Sequence, residues 1–163
     1  MKKLIIFISI ILLCFCTNKS KNSISLFNNI SFQIQNGEEN TEIQQNISML
    51  YTEYFNNQQT QIPLFKFIKH SNYKIFIGIP YDTSIEKMIK TKLEENDSCR
   101  ISFESNSKSY FAKYNRDRFY ITEYATIFDN GTIIFISTLT NMKEISDSLF
   151  NKSKISTRIK LKN

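Results

Sequence analysis

The sequence predicts an α+β fold: a mainly antiparallel, meander-like sheet with about three helices packed on it. Three observations lead there. Segments of period-two hydrophobicity follow one another closely enough to pair as hairpins. Between them lie three segments with apolar stripes at helical spacing, each opened by a capping signature. The triplet Asp129-Asn130-Gly131 separates two long strand-like runs and is a strong hairpin signal.

The elements follow in order. Ile30-Ser31-Phe32-Gln33-Ile34 alternates strictly and predicts a strand, ended by a turn at Asn36-Gly37. Thr41 and Gln44 form a capping box for a first helix, whose inward stripe is Ile43, Ile47, Leu50, Tyr51, Tyr54 and Phe55. Asn56 to Thr60 is a polar loop. Leu64 to Ile68 and Tyr73 to Ile79 read as strands joined by the turn His70-Ser71-Asn72. The second has apolar residues on both parities, which predicts a central strand covered on both faces. Gly78 and Pro80 end it.

Thr83 with Glu86 caps a second helix, with Ile85, Met88, Ile89 and Leu93 as its stripe. Four strands come next: Cys99 to Glu104, Tyr110 to Tyr114, Phe119 to Phe128 and Thr132 to Leu139. A short third helix takes Asn141 as N-cap, with Glu144 three residues on, and turns Met142, Ile145 and Leu149 inward. Ile155 to Leu161 closes the fold with alternation again. There is no internal repeat.

The N-terminus has a different character. Met1-Lys2-Lys3 is followed by a 12-residue apolar run, Leu4 to Phe15, broken only by Ser9. A bilayer-spanning helix needs about 20 apolar residues, so the run has the length of a signal-peptide core instead. It ends in Leu13-Cys14-Phe15-Cys16. Leu three residues before a cysteine resembles the lipobox of bacterial lipoproteins, although Phe15 stands where that family carries a small residue. The resemblance covers residues 1–16. It implies that residues 1–15 are a signal peptide cut before Cys16. It further implies that Cys16 carries a diacylglyceryl group on sulfur and a palmitate-type chain on its new amine. Two or more chains hold a protein durably to a bilayer. On this reading residues 16–25 are the lipidated cysteine and a polar tether, and residues 26–163 are a single α+β domain. The protein then belongs to the cell envelope, with the membrane as a partner through the anchor. Thr17, rather than Asp, directly after Cys16 points to the outer membrane, facing the periplasm.

Cysteine and charge counts fit this address. Of Cys14, Cys16 and Cys99, processing leaves only Cys99 without lipid, so no intramolecular disulfide is expected. Cys99 shares a parity with Ile101 and Phe103 and reads as a buried structural thiol. The net charge of +6 is concentrated at the two ends. Residues 16–151 hold 14 basic and 15 acidic side chains, a nearly neutral body without the footprint of a nucleic-acid binder.

Catalytic signatures are sparse. His70 is the one histidine, and its place in a short turn predicts an exposed turn residue rather than a base. There is no H-x-x-x-H, C-x-x-C or G-x-S-x-G, and three glycines cannot build a phosphate loop. Glu94-Glu95-x-Asp97 reads as a solvated helix end. No catalytic residue, metal ligand or cofactor is therefore assigned. Two segments stand out. In Lys113 to Tyr120 a hairpin loop is expected to project Arg116 and Arg118 beside Tyr114 and Tyr120, residue types favoured as interface anchors. In Thr157 to Lys162 basic and apolar residues alternate. A basic segment binding an anionic membrane surface is one reading, but the period of two favours an edge strand whose lysines face water. The functional expectation is a non-enzymatic envelope lipoprotein, a tethered domain binding another envelope protein or a toxin-like target, as an immunity-type protein or an accessory subunit. The alternative is a small-molecule carrier with an aromatic-lined apolar pocket.

Overall fold

Alternation of apolar and polar side chains drives most of this chain into strands, because that pattern lets a pleated backbone bury one face. The structure, a computed structural model, describes residues 23–27, 29–43, 64–80, 84–95, 99–103, 108–129, 131–149 and 155–161. The strands among them are β1 (Ser23–Phe27), β2 (Ile30–Gln33), β3 (Glu39–Thr41), β4 (Leu64–Lys69) and β5 (Lys74–Gly78). After helix α1 (Ile85–Glu95) come β6 (Arg100–Phe103), β7 (Ser109–Arg116), β8 (Phe119–Ile127) and β9 (Ile133–Thr140). Helix α2 (Lys143–Leu149), a 3-10 turn (Ser156–Arg158) and β10 (Ile159–Leu161) complete the order.

Seven strands form one antiparallel sheet in the order β3-β4-β5-β9-β8-β7-β6. It is two meanders joined along a single seam, where β5 pairs with β9 from Lys74↔Leu139 to Gly78↔Phe135. The other three strands make a small sheet in the order β1-β2-β10. Every residue of β9 is buried, as its central place demands. On one face of the large sheet Phe76, Tyr110, Ile121 and Phe135 pack with Ile85 and Met88 of α1. On the other, Ile75, Ile77, Phe111 and Ile134 pack with Phe32 of β2, Leu149 of α2 and Ile155. The fold is thus three layers: α1, the large sheet, and the small sheet with α2. Fully burying one such side chain contributes roughly 1.5–3 kcal/mol, and the two-sided core explains why β5 is apolar on both parities.

The turns follow from local chemistry. Gly131 has φ +80 and its N–H donates to the Phe128 carbonyl at 2.8 Å, closing the β8–β9 hairpin where Asp129-Asn130-Gly131 predicts it. Gly37 has φ +83, and a Cβ there would stand 3.2 Å from the His70 ring. The positive φ favours glycine at both positions, and at Gly37 a side chain would also press on the His70 ring.

Several expectations change. Two α-helices, not three, lie among the described residues. Most of the segment read as the first helix lies outside them, but Thr41, its expected N-cap, is a β3 residue paired with Phe67. Ile43, expected to face inward, is exposed. Strand β1 begins at Ser23, so the end of the segment read as tether is already sheet: Ile24 pairs with Phe32 and packs on the core. Helix α1 is capped by Ser84, whose Oγ accepts the Lys87 N–H at 3.2 Å. Its inward face stops before Leu93, which is exposed. The approach to α2 is held by Thr140, whose Oγ1 donates to the Asn72 carbonyl and accepts the Met142 N–H. Met142 is consequently turned out to solvent. Cys99 is half-buried against the α1-side core. The closing alternation yields only a three-residue strand, because Ile155 to Arg158 are helical.

Between the layers sits a charged network. Arg158 and Glu38 are both buried and form an ion pair. Arg158 Nε donates to the Gln33 carbonyl at 2.9 Å, and its guanidinium lies 4.2 Å from the centre of the Phe32 ring. Glu38 accepts the Gln35 N–H at 2.8 Å and the Tyr73 hydroxyl at 2.7 Å. Burial and the neighbouring Glu38 carboxylate push the Tyr73 phenol well above its ordinary value. Losing one partner strands the other charge away from water. Arg158→Met and Glu38→Gln should each lower the unfolding free energy by about 3–5 kcal/mol, and the double variant should cost less than their sum. Urea denaturation of the three variants measures both quantities.

Candidate functional site

Strands β7 and β8 pair without a break up to Arg116↔Phe119, leaving Asp117 and Arg118 as a two-residue turn. Such turns need positive φ to match strand twist, and Asp117 supplies it at φ 52. The turn is therefore narrow and projects its side chains. Arg118 is exposed and lays its guanidinium 5.1 Å from the centroid of the Phe119 ring. Arg116 is half-buried opposite Phe119.

The four residues singled out in the sequence part company here. Arg116 and Arg118 come together at the tip. Tyr114 does not: it is 3 % exposed, and its hydroxyl donates to Glu123 Oε1 at 2.6 Å inside the α1-side core. Strand parity decides this, since Tyr114 lies on the same side as Ala112 and pairs with Ile121. Tyr120 pairs with Asn115 and so occupies the opposite face, half-buried.

That opposite face opens into a cleft of about 400 Å³ lined by Arg100, Lys113, Tyr114, Asn115, Tyr120, Lys143 and Asp147. Along β7 the row Phe111, Lys113, Asn115 leaves the apolar core and turns polar beyond it. Arg100 of β6 is the direct cross-strand partner of Lys113. Lys143 is the first residue of α2, which is fastened to β8 where Thr122 Oγ1 and Ser146 Oγ share a hydrogen bond at 3.3 Å. Asp147, one turn along α2, forms an ion pair with Lys113. Burial, then the positive charges of Arg100 and Lys143, hold the Lys113 ammonium below the ordinary lysine range. These residues are scattered in sequence, and no local pattern announces their convergence.

A second cavity of about 400 Å³ lies between α2 and the small sheet, lined by Ile145, Leu149 and Ile155 with Tyr73 and Arg158 at its polar side. His70 stays in its turn, as expected, but it is half-buried rather than exposed. Its ring stacks on Tyr73 at 4.3 Å, and Nδ1 accepts the Asn72 N–H at 3.2 Å. Glu94 is an exposed side chain 3.8 Å from Lys90, a pair of little energetic weight. Among the described residues no group of three or more His, Cys, Asp or Glu could hold a metal ion, and no helix is long and apolar enough to cross a membrane. Cys16 lies outside the described residues. No protein-family model matches the chain, and no curated protein is significantly similar to it.

The buried Tyr114 hydroxyl separates a structural role from a surface one. Tyr114→Phe should destabilise the domain by about 1–3 kcal/mol through the hydrogen bond lost at Glu123, whereas Arg118→Ala should cost under about 1 kcal/mol. Paired chemical denaturation curves provide the comparison.

Proposed function

We propose that this protein is a non-enzymatic lipoprotein of the cell envelope, a domain tethered by lipidated Cys16 that binds another envelope protein or a toxin-like target through its β7–β8 tip. The anchor rests on the lipobox-like Leu13 to Cys16, the outer-membrane placement on Thr17. One observation carries the binding role: a two-residue turn presents an exposed Arg118 stacked on Phe119 with Arg116 beside it. Arginine and aromatic anchors of this kind carry much of the energy of protein interfaces when a partner desolvates them. An immunity-type protein and an accessory subunit both fit this picture.

Affinity purification of the full chain from detergent-solubilised envelopes, followed by mass spectrometry, tests both parts together. The bait should begin at an acylated Cys16, and Arg116→Ala/Arg118→Ala should lose the partners recovered with the unaltered protein. A bait still starting at Met1 removes the anchor; identical partners in both purifications remove the tip.

A second reading, a small-molecule carrier, draws on the cavity lined by Ile145, Leu149 and Ile155, which is large enough for a small apolar ligand. Leu149→Trp should fill it and abolish the saturable fluorescence of an apolar dye, if the cavity takes up such molecules.

A further inference from the structure

Arg100 and Lys113 face each other directly across β6 and β7. Like charges at opposed positions destabilise a sheet, and Lys143 adds a third positive charge to the same cleft. Among the described residues lining it, Asp147 is the one carboxylate, and it is engaged with Lys113. Among the described residues, two positive charges of this lining, Arg100 and Lys143, thus have no carboxylate partner in a cleft of about 400 Å³. The neutral groups beside them, the Asn115 amide and the Tyr120 hydroxyl, can both donate hydrogen bonds.

We propose that this cleft is a binding site for a phosphate monoester, held by Arg100, Lys113 and Lys143 with Asn115 and Tyr120 donating to the remaining oxygens. The charge matches a dianion. The number of donors also matches: a guanidinium fork, two ammonium groups, an amide and a phenol exceed what the two oxygens of a carboxylate accept, and suit the three terminal oxygens of a phosphoryl group. Burial first, and then the positive charges of Arg100 and Lys143, lower the affinity of Lys113 for its proton. Asp147 then acts as a stand-in anion that yields Lys113 when the ligand arrives. The phosphoryl group has two candidate sources, a soluble metabolite or a lipid headgroup. This site uses none of the arginines of the β7–β8 tip, so it stands or falls apart from the protein-binding reading.

The test is titration of the full chain in neutral detergent with inorganic phosphate, glycerol 3-phosphate and dihexanoyl phosphatidic acid, at constant ionic strength, followed by calorimetry and by ³¹P resonance. Saturable binding is expected for at least one of the three. Arg100→Ala and Lys143→Ala should each weaken it about tenfold, the effect of one charge-assisted hydrogen bond. Asp147→Asn should tighten it about threefold or more by releasing Lys113, a gain that a misfolded variant could not produce. Tighter binding of phosphatidic acid than of glycerol 3-phosphate assigns the ligand to a lipid headgroup, and equal binding assigns it to a soluble monoester. The proposal is overturned if no probe saturates below about 10 mM, or if Lys143→Ala and Asp147→Asn both leave the affinity unchanged.

Discussion

The Glu38–Arg158 pair is the contact on which the arrangement of layers depends. Glu38 sits just before β3, the first strand of the large sheet, and Arg158 just before β10 of the small one. Neither charge reaches water. Each must therefore satisfy its hydrogen-bonding groups internally, and the available partners come from different layers: the Gln33 carbonyl and Phe32 ring from β2, the Tyr73 hydroxyl from the approach to β5. A buried ion pair contributes little net stability by itself, because desolvation offsets attraction. Its effect is on alignment: sliding the small sheet by one residue would leave a buried charge without its partner. Apolar packing between Phe32, Ile75 and Ile77 supplies adhesion, and the charged hub selects one register for it.

The same economy explains where the two proposed surfaces lie. The large sheet is apolar on both faces through its middle strands, so polar recognition can develop only where strands outrun their cover. At the β7–β8 end this happens twice. The tip carries Arg116 at the last cross-strand pair and Arg118 just beyond it, and the far face of the same strands carries Lys113, Asn115 and Tyr120 into the cleft beside α2. Glu123 and Tyr114, buried beneath, anchor the hairpin so that both surfaces rest on a fixed base.

Strand-forming periodicity was legible in the sequence because it is a local property. The alternating runs of β2, β5, β8 and β9, and the hairpin at Asp129-Asn130-Gly131, lie where their patterns place them, within a residue or two. What was not legible depends on partners far along the chain. Arg158 reads as one of several tail cations; its burial follows from a carboxylate 120 residues away. Tyr114 reads as the end of a strand, set beside the loop arginines, and only the register with Ile121 turns it inward. Glu39-Asn40-Thr41 has no apolar residue to mark it as a strand, since β3 is an edge whose side chains face water. The cleft assembles from β6, β7 and α2, whose cations are each unremarkable in their own segments.

The seam between β5 and β9 has a kinetic meaning. Strands β4 to β5 and β6 to β9 pair with neighbours close in sequence, whereas β5 and β9 are separated by α1 and three further strands. Until they pair, β5 and β9 both present bare, greasy hydrogen-bonding edges. Long-range pairing of this sort is slow and exposed to misassociation. Pairing β5 with β9 removes both edges at once and encloses a strand whose every residue is buried.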